Sequence, residues 1–135
     1  MATIVTRAGK GSPLTNTEVD ANFTNLNNDK LELTVETTAS SATPTPSAGT
    51  NHYTVTALAT DATFGAPGGT PTDGQKLVIR VKDNGTARTL GWNAIYRGIG
   101  ITLPTTTTIS KTLYVGFIYN SADTKWDGVA TVEEA

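Results

Sequence analysis

Trp92, Tyr96 and Trp126 are the residues of this 135-residue chain best suited to ligand chemistry. A flat indole or phenol ring stacks on a sugar, and its N–H or O–H adds a polar handle. They are the candidate glycan contacts, although core packing is the favoured role for the same rings. Arg80, Arg88 and Arg97 either line a polar groove beside them or face solvent on alternating strand positions. His52 is the sole histidine, lies at the edge of a proline-rich stretch, and has no identifiable serine or aspartate partner, so it reads as a strand-edge residue rather than part of a triad. Asp61, Asp73, Asp83, Asp123 and Asp127 fall mainly at turns, where a carboxylate caps local backbone. That role outweighs paired-carboxylate hydrolysis, and their spacing matches no calcium loop. Gly9 and Gly11 lack the preceding strand and the Gly-Lys-Ser/Thr ending of a phosphate loop. There are no cysteines, which removes disulfides, zinc-thiolate sites and thiol nucleophiles together. The expectation is a non-enzymatic protein with no catalytic residue, no cofactor and no metal site.

The strongest local signal lies in residues 14–33, LTNTEVDANFTNLNNDKLEL. Thr15 followed three residues later by Glu18 fits a capping box, with Leu14 and Val19 at the staple positions around it. Val19, Phe23, Leu26, Lys30 and Leu33 then recur at spacings of 4, 3, 4 and 3, a seam of two residues per heptad. Between them stand asparagines and threonines, weak helix formers whose side chains compete for backbone hydrogen bonds. Such a helix needs support from packing. Leu14, Val19, Phe23, Leu26 and Leu33 are therefore the candidate oligomerisation residues, with docking on the chain's own β domain as the alternative. Residues 1–13 read as an extended arm that docks on a neighbouring subunit.

From Leu31 to Val35 the apolar period shortens to 2, which marks the passage from helix to strand. Residues 37–50, TTASSATPTPSAGT, hold no large apolar side chain, and Pro44 and Pro46 forbid a helix or a central strand, so this segment reads as a linker. After it come alternating runs: Tyr53 with Val55; Leu77, Ile79 and Val81; a tight turn at Asp83-Asn84-Gly85 into Thr86–Trp92; a short run Ile99–Leu103; and a last hairpin, Thr112–Tyr119 with Lys125–Val132, turning at Asn120–Thr124. Leu113 to Tyr119 is apolar on both alternating faces, which predicts burial on both sides. The fold expected is mainly β: an N-terminal arm and short amphipathic helix (1–36), a Thr/Ser/Pro linker (37–50), and an antiparallel β-sandwich or barrel-like module (51–135).

Composition agrees with a β-rich chain. Hydrophobic residues make up 37% and charged residues 16%, both below the usual shares, and the 27 threonines that fill the difference favour a pleated surface. A net charge of −2 offers no basic stripe for nucleic acid or an anionic membrane. No apolar run reaches the length of a membrane span, and the first residues lack the hydrophobic stretch of a signal peptide, so assembly in a cytoplasm without membrane insertion is expected.

The opening TIVTRAGKGSPLTNTEVDANFTNLNNDKLE resembles the N-terminal segment of many bacteriophage tail fibre and related virion proteins. ATFGAPGGTPTDGQKLVIRVKDNGTARTLGWNAIYRGIGITLP with TLYVGFIYNSADTKWDGVA is similar to a β module that recurs at the C-terminal end of such proteins. The resemblance implies a virion structural protein, a homotrimer assembled in the host cytoplasm, attached to other virion proteins of the tail, baseplate or capsid through its N-terminal part and displaying its β part. Fibre proteins usually carry a long shaft or an enzymatic β-helix between these modules, and here only residues 37–50 stand there. A short trimeric tail-fibre-type protein is the leading expectation. A head decoration protein, or a carbohydrate-binding module that contacts a host surface glycan through Trp92, Tyr96 or Trp126, is the alternative.

Overall fold

The computed structural model describes residues 4–28 and 33–135. The chain divides into two units, Met1–Glu32 and Leu33–Ala135.

In the first unit a short helix α1 (Arg7–Lys10) precedes helix α2 (Asn16–Asn28). Thr6 caps α1 by accepting from the Gly9 N–H at 3.1 Å, and Gly11 closes it in the left-handed region at φ 72°. The segment expected as an extended arm therefore contains a helical turn. Its start is held to α2 by one side chain: Asn22 accepts from the Val5 N–H and donates to the Val5 carbonyl, both at 2.9 Å. An amide satisfies a backbone donor and acceptor together, so the arm lies on its own helix.

The second unit is β-rich, with strands β1 (Val35–Thr38), β2 (His52–Leu58), β3 (Ala62–Phe64), β4 (Lys76–Asp83), β5 (Leu90–Trp92), β6 (Tyr96–Gly98), β7 (Thr112–Asn120) and β8 (Lys125–Glu133). Six of them form one sheet in the order β1-β2-β4-β7-β8-β6, and β3 with β5 forms a second. The antiparallel expectation holds for β4 with β7 and for the β7–β8 hairpin. It does not hold for the other strand pairs, because β1–β2, β2–β4, β3–β5 and β6–β8 are all parallel.

The hairpin expected across Asp83-Asn84-Gly85 does not form. Gly85 turns the chain at φ 92°, but Asp83 accepts from Ser110 N–H and Thr107 Oγ1–H of a distant loop, and β5 is carried away to pair with β3. Residues 99–103 are bends and irregular backbone rather than a strand, and β6 precedes them.

One face of the large sheet carries the core. Tyr53 and Val55, then Leu77, Ile79 and Val81, then Leu113, Val115, Phe117 and Tyr119, with Tyr96 and Trp126, are all buried. Ala62, Phe64 and Leu90 of the small sheet join the same cluster, with the Phe64 ring stacked on Trp92 at 4.7 Å. The other face stays open, so β7 is buried on one side only and Ile118 is 38% exposed.

Residues 37–50, expected as a linker, belong to this unit. Thr63, Gly65 and Gly68 donate their N–H groups to the carbonyls of Ala42, Pro44 and Pro46, each at 2.9 Å, so the segment runs beside β3. Proline lacks a donor but keeps its acceptor, and both prolines are fully buried at this edge. Glu36 fixes the turn beyond, accepting from Ser47 N–H at 2.8 Å and Thr50 Oγ1–H at 3.0 Å. Gly65 is required by close approach, since a Cβ there would sit 2.3 Å from Thr45 Oγ1.

Candidate functional site

The start of α2 is built as its residues predict. Glu18 N–H donates to Thr15 Oγ1 at 3.2 Å, and the Glu18 carboxylate accepts from Thr15 N–H at 2.7 Å, which completes the capping box. The Lys10 ammonium lies 2.5 Å from the same carboxylate, tying α1 to α2. Hydrogen bonding from Lys10 first, then from the Thr15 N–H and hydroxyl, pulls the Glu18 pKa from 4.5 to about 2. A depressed carboxylate stabilises the folded form above its unfolded pKa and loses that contribution as pH falls through the folded one. Helical ellipticity is therefore expected to fall in acid between about pH 4.5 and 2, and Glu18→Gln is expected to flatten that titration. Thr15→Ala removes the cap hydroxyl and is expected to cost the helix about 1 kcal/mol, seen as reduced ellipticity at neutral pH.

Past the cap, α2 presents an apolar strip that the described residues leave largely exposed at Phe23 and Leu26. Leu14 and Val19 are half-buried, whereas Phe23 is 69% and Leu26 53% exposed. Val19, Phe23 and Leu26 share a helix face by their spacing. Lys30 of the seam lies outside the described residues, and Leu33 is not on the helix but just before β1, 72% exposed.

The candidate glycan contacts occupy the core instead of a surface. Tyr96 and Trp126 face each other across β6 and β8 on the covered side of the sheet and are 5% and 1% exposed. Trp92 is half-buried between Phe64 and Phe117, and its Nε1–H donates to the Pro104 carbonyl at 2.7 Å. The Tyr96 hydroxyl donates to the Gly65 carbonyl at 3.0 Å, and burial pushes the phenol far above its ordinary pKa. Neighbouring aromatic rings cover the faces a sugar would need. The chain signal for this was the alternation of Tyr96 with Arg97 and of Trp126 with Asp127, which puts both aromatics on one side of their strands.

The arginines do not gather beside these rings. Arg97 is held by Asp127 at 2.6 Å and Asp123 at 2.5 Å, and Arg88 donates to Asn84 Oδ1 at 3.2 Å. Arg80 stands on the open face of β4. The aspartates bond backbone as expected, but not all at their own turns: Asp61 accepts from the distant Thr89 N–H at 2.8 Å and Asp73 from the distant Ser121 N–H at 2.9 Å, whereas Asp83 does cap its own turn through Gly85 N–H at 2.9 Å. His52 sits edge-on to Tyr114 with ring centroids 6.4 Å apart, and burial, then the Arg80 charge, hold its pKa below the usual value. Among the described residues, no three His, Cys, Asp or Glu side chains are grouped to hold a metal. No described helix is long and apolar enough to cross a membrane.

Comparison of the chain with protein-family models, with curated proteins and with solved structures finds no match.

Proposed function

We propose that this chain is a non-enzymatic structural component of a bacteriophage virion, a short homotrimeric tail-fibre-type protein attached through its N-terminal unit and displaying its β unit. The observation that carries the assembly part is the strip on α2. A capped helix rich in asparagine and threonine leaves Phe23 and Leu26 in solvent, and identical copies packed along it would each cover them. Burial of each side chain is worth about 1.5–3 kcal/mol, enough to offset the poor intrinsic propensity of its neighbours. The virion part rests on the resemblance of residues 3–32 to fibre attachment segments.

A head-decoration role on the same trimer is the second reading, favoured by the absence of room for a shaft: the β unit begins at Leu33, directly after the first unit. Antibody against the full chain, applied to purified particles and viewed by electron microscopy, tests the proposal. Label at the tail supports the fibre reading, label over the capsid supports decoration, and unlabelled particles would remove the protein from the virion.

A further inference from the structure

The open face of the large sheet holds a built groove that the assembly reading does not use. Register places Thr37, Thr54, Arg80, Tyr114 and Val132 in one row across five strands, and Lys82 beside Thr112 in the next. Thr54, Thr56, Arg80, Lys82, Thr112 and Tyr114 line a depression of about 250 Å³. Thr54 is only 2% exposed, yet its hydroxyl has no hydrogen-bond partner among the described residues, and neither has His52 Nε2 in the neighbouring row. Buried hydroxyls are ordinarily satisfied, so an unpaired one beneath a groove leaves unused hydrogen-bonding capacity at its floor.

Charge narrows the ligand. Arg80 forms no ion pair with a described residue, whereas Arg97 and Lys10 are both engaged. Lys82, on the same wall, likewise forms no ion pair with a described residue, although it lies near Glu134, whose carboxylate accepts from Thr112 N–H at 3.0 Å, so Arg80 and Lys82 are both cations that the groove can offer. The Tyr114 ring, half-buried beside Arg80, offers an apolar face, and Thr54, Thr56 and Thr112 line the groove around it, the Thr56 hydroxyl donating to the Thr38 carbonyl at 3.5 Å and keeping its acceptor capacity. An aromatic face, a free guanidinium and a fringe of hydroxyls together suit a ring that carries its own hydroxyls and one anionic group. The volume is below the roughly 300–1,000 Å³ of pockets for drug-sized ligands, which limits the occupant to about one ring.

We propose that the groove at Arg80 and Tyr114 binds a single sugar ring bearing a carboxylate or a phosphate. The site lies wholly within the β unit and does not depend on the trimer. Calorimetric titration of the full-length protein with glucuronate, glucose 6-phosphate, glucose and inorganic phosphate tests it. At least one charged sugar is expected to saturate one site per chain, with glucose and inorganic phosphate at least about tenfold weaker, and the tighter of the two sugars identifies the anionic group. Arg80→Gln and Tyr114→Ala are each expected to weaken that binding by about tenfold or more while the melting temperature stays unchanged. If Arg80→Gln fails to fold, Lys82→Gln supplies the second charge test. No saturable binding by either charged sugar, equal binding of glucose or inorganic phosphate, or full affinity in the folded charge variant overturns the proposal. Light scattering on the same samples separates it from the assembly reading: a trimer without binding removes only the groove, and a binding monomer removes only the trimer.

Discussion

Trp126→Ala is expected to lower the stability of the β unit by about 3–5 kcal/mol, a large share of the 5–15 kcal/mol typical of a whole domain. Trp126 is 1% exposed, pairs in register with Tyr96, and packs against Tyr119 with ring centroids 5.2 Å apart. Its indole N–H has no hydrogen-bond partner among the described residues, so the loss is one of packing and cavity formation. Trp126→Phe, which keeps most of the volume, is therefore expected to cost much less. Urea unfolding followed by circular dichroism checks both: a midpoint lowered strongly for alanine and slightly for phenylalanine, at unchanged slope, fits a core residue. An unchanged midpoint for alanine would return Trp126 to the surface and revive it as a ligand contact.

Asp83→Ala is expected to be comparably damaging, at about 2–4 kcal/mol, for a polar reason. The side chain is 4% exposed and accepts from Thr107 Oγ1 at 2.8 Å, Ser110 N–H at 2.9 Å and Gly85 N–H at 2.9 Å. Its loss leaves donors of two loops without their acceptor, and an unsatisfied buried donor costs more than a hydrogen bond contributes. Ser110 also holds a left-handed backbone at φ 61°, a conformation sustained by that contact. Burial alone would raise the Asp83 pKa, but the bonds from Ser110, Thr107 and Gly85, with the Arg88 charge, outweigh it and the net direction is down. A lowered pKa means that the stabilisation is complete above the ordinary aspartate value of about 3.9 and is lost as pH falls through the folded value. The wild-type protein is therefore expected to lose stability more steeply below about pH 4 than Asp83→Ala, and parallel acid dependences would contradict this role.

These two residues also mark what the chain revealed and what it hid. Local chemistry was legible: the Thr15–Glu18 cap, the β7–β8 hairpin and the Asp83 bond to Gly85 N–H depend on residues a few positions apart. The apolar alternation in β4 gave the core face, because one side chain in two must point inward, whereas β7, apolar on both faces, hid that only one of them is covered. Pairing partners were not legible in the same way. Asp83-Asn84-Gly85 has the composition of a hairpin turn, yet Asp83 spends its carboxylate on a loop more than twenty residues away, and the strand after it joins β3 in parallel. Residues 37–50 lacked large apolar groups, so the segment looked free. Its carbonyls are what hold it, and a carbonyl leaves no trace in side-chain composition. The aromatic trio suffered from the opposite ambiguity, since rings that stack on sugars are the rings that fill cores. The Arg80 groove was hidden because Thr54, Arg80 and Tyr114 come from three strands that only the sheet register aligns.

The central claim is that α2 assembles the protein. Size-exclusion chromatography with light scattering on the full chain, beside Phe23→Asp/Leu26→Asp, tests it most directly. The account predicts three times the 14.1 kDa chain mass for the wild type and a single-chain mass for the double variant, with the β-unit circular dichroism unchanged. A wild-type mass of one chain, or a trimer that survives both charges, would contradict it.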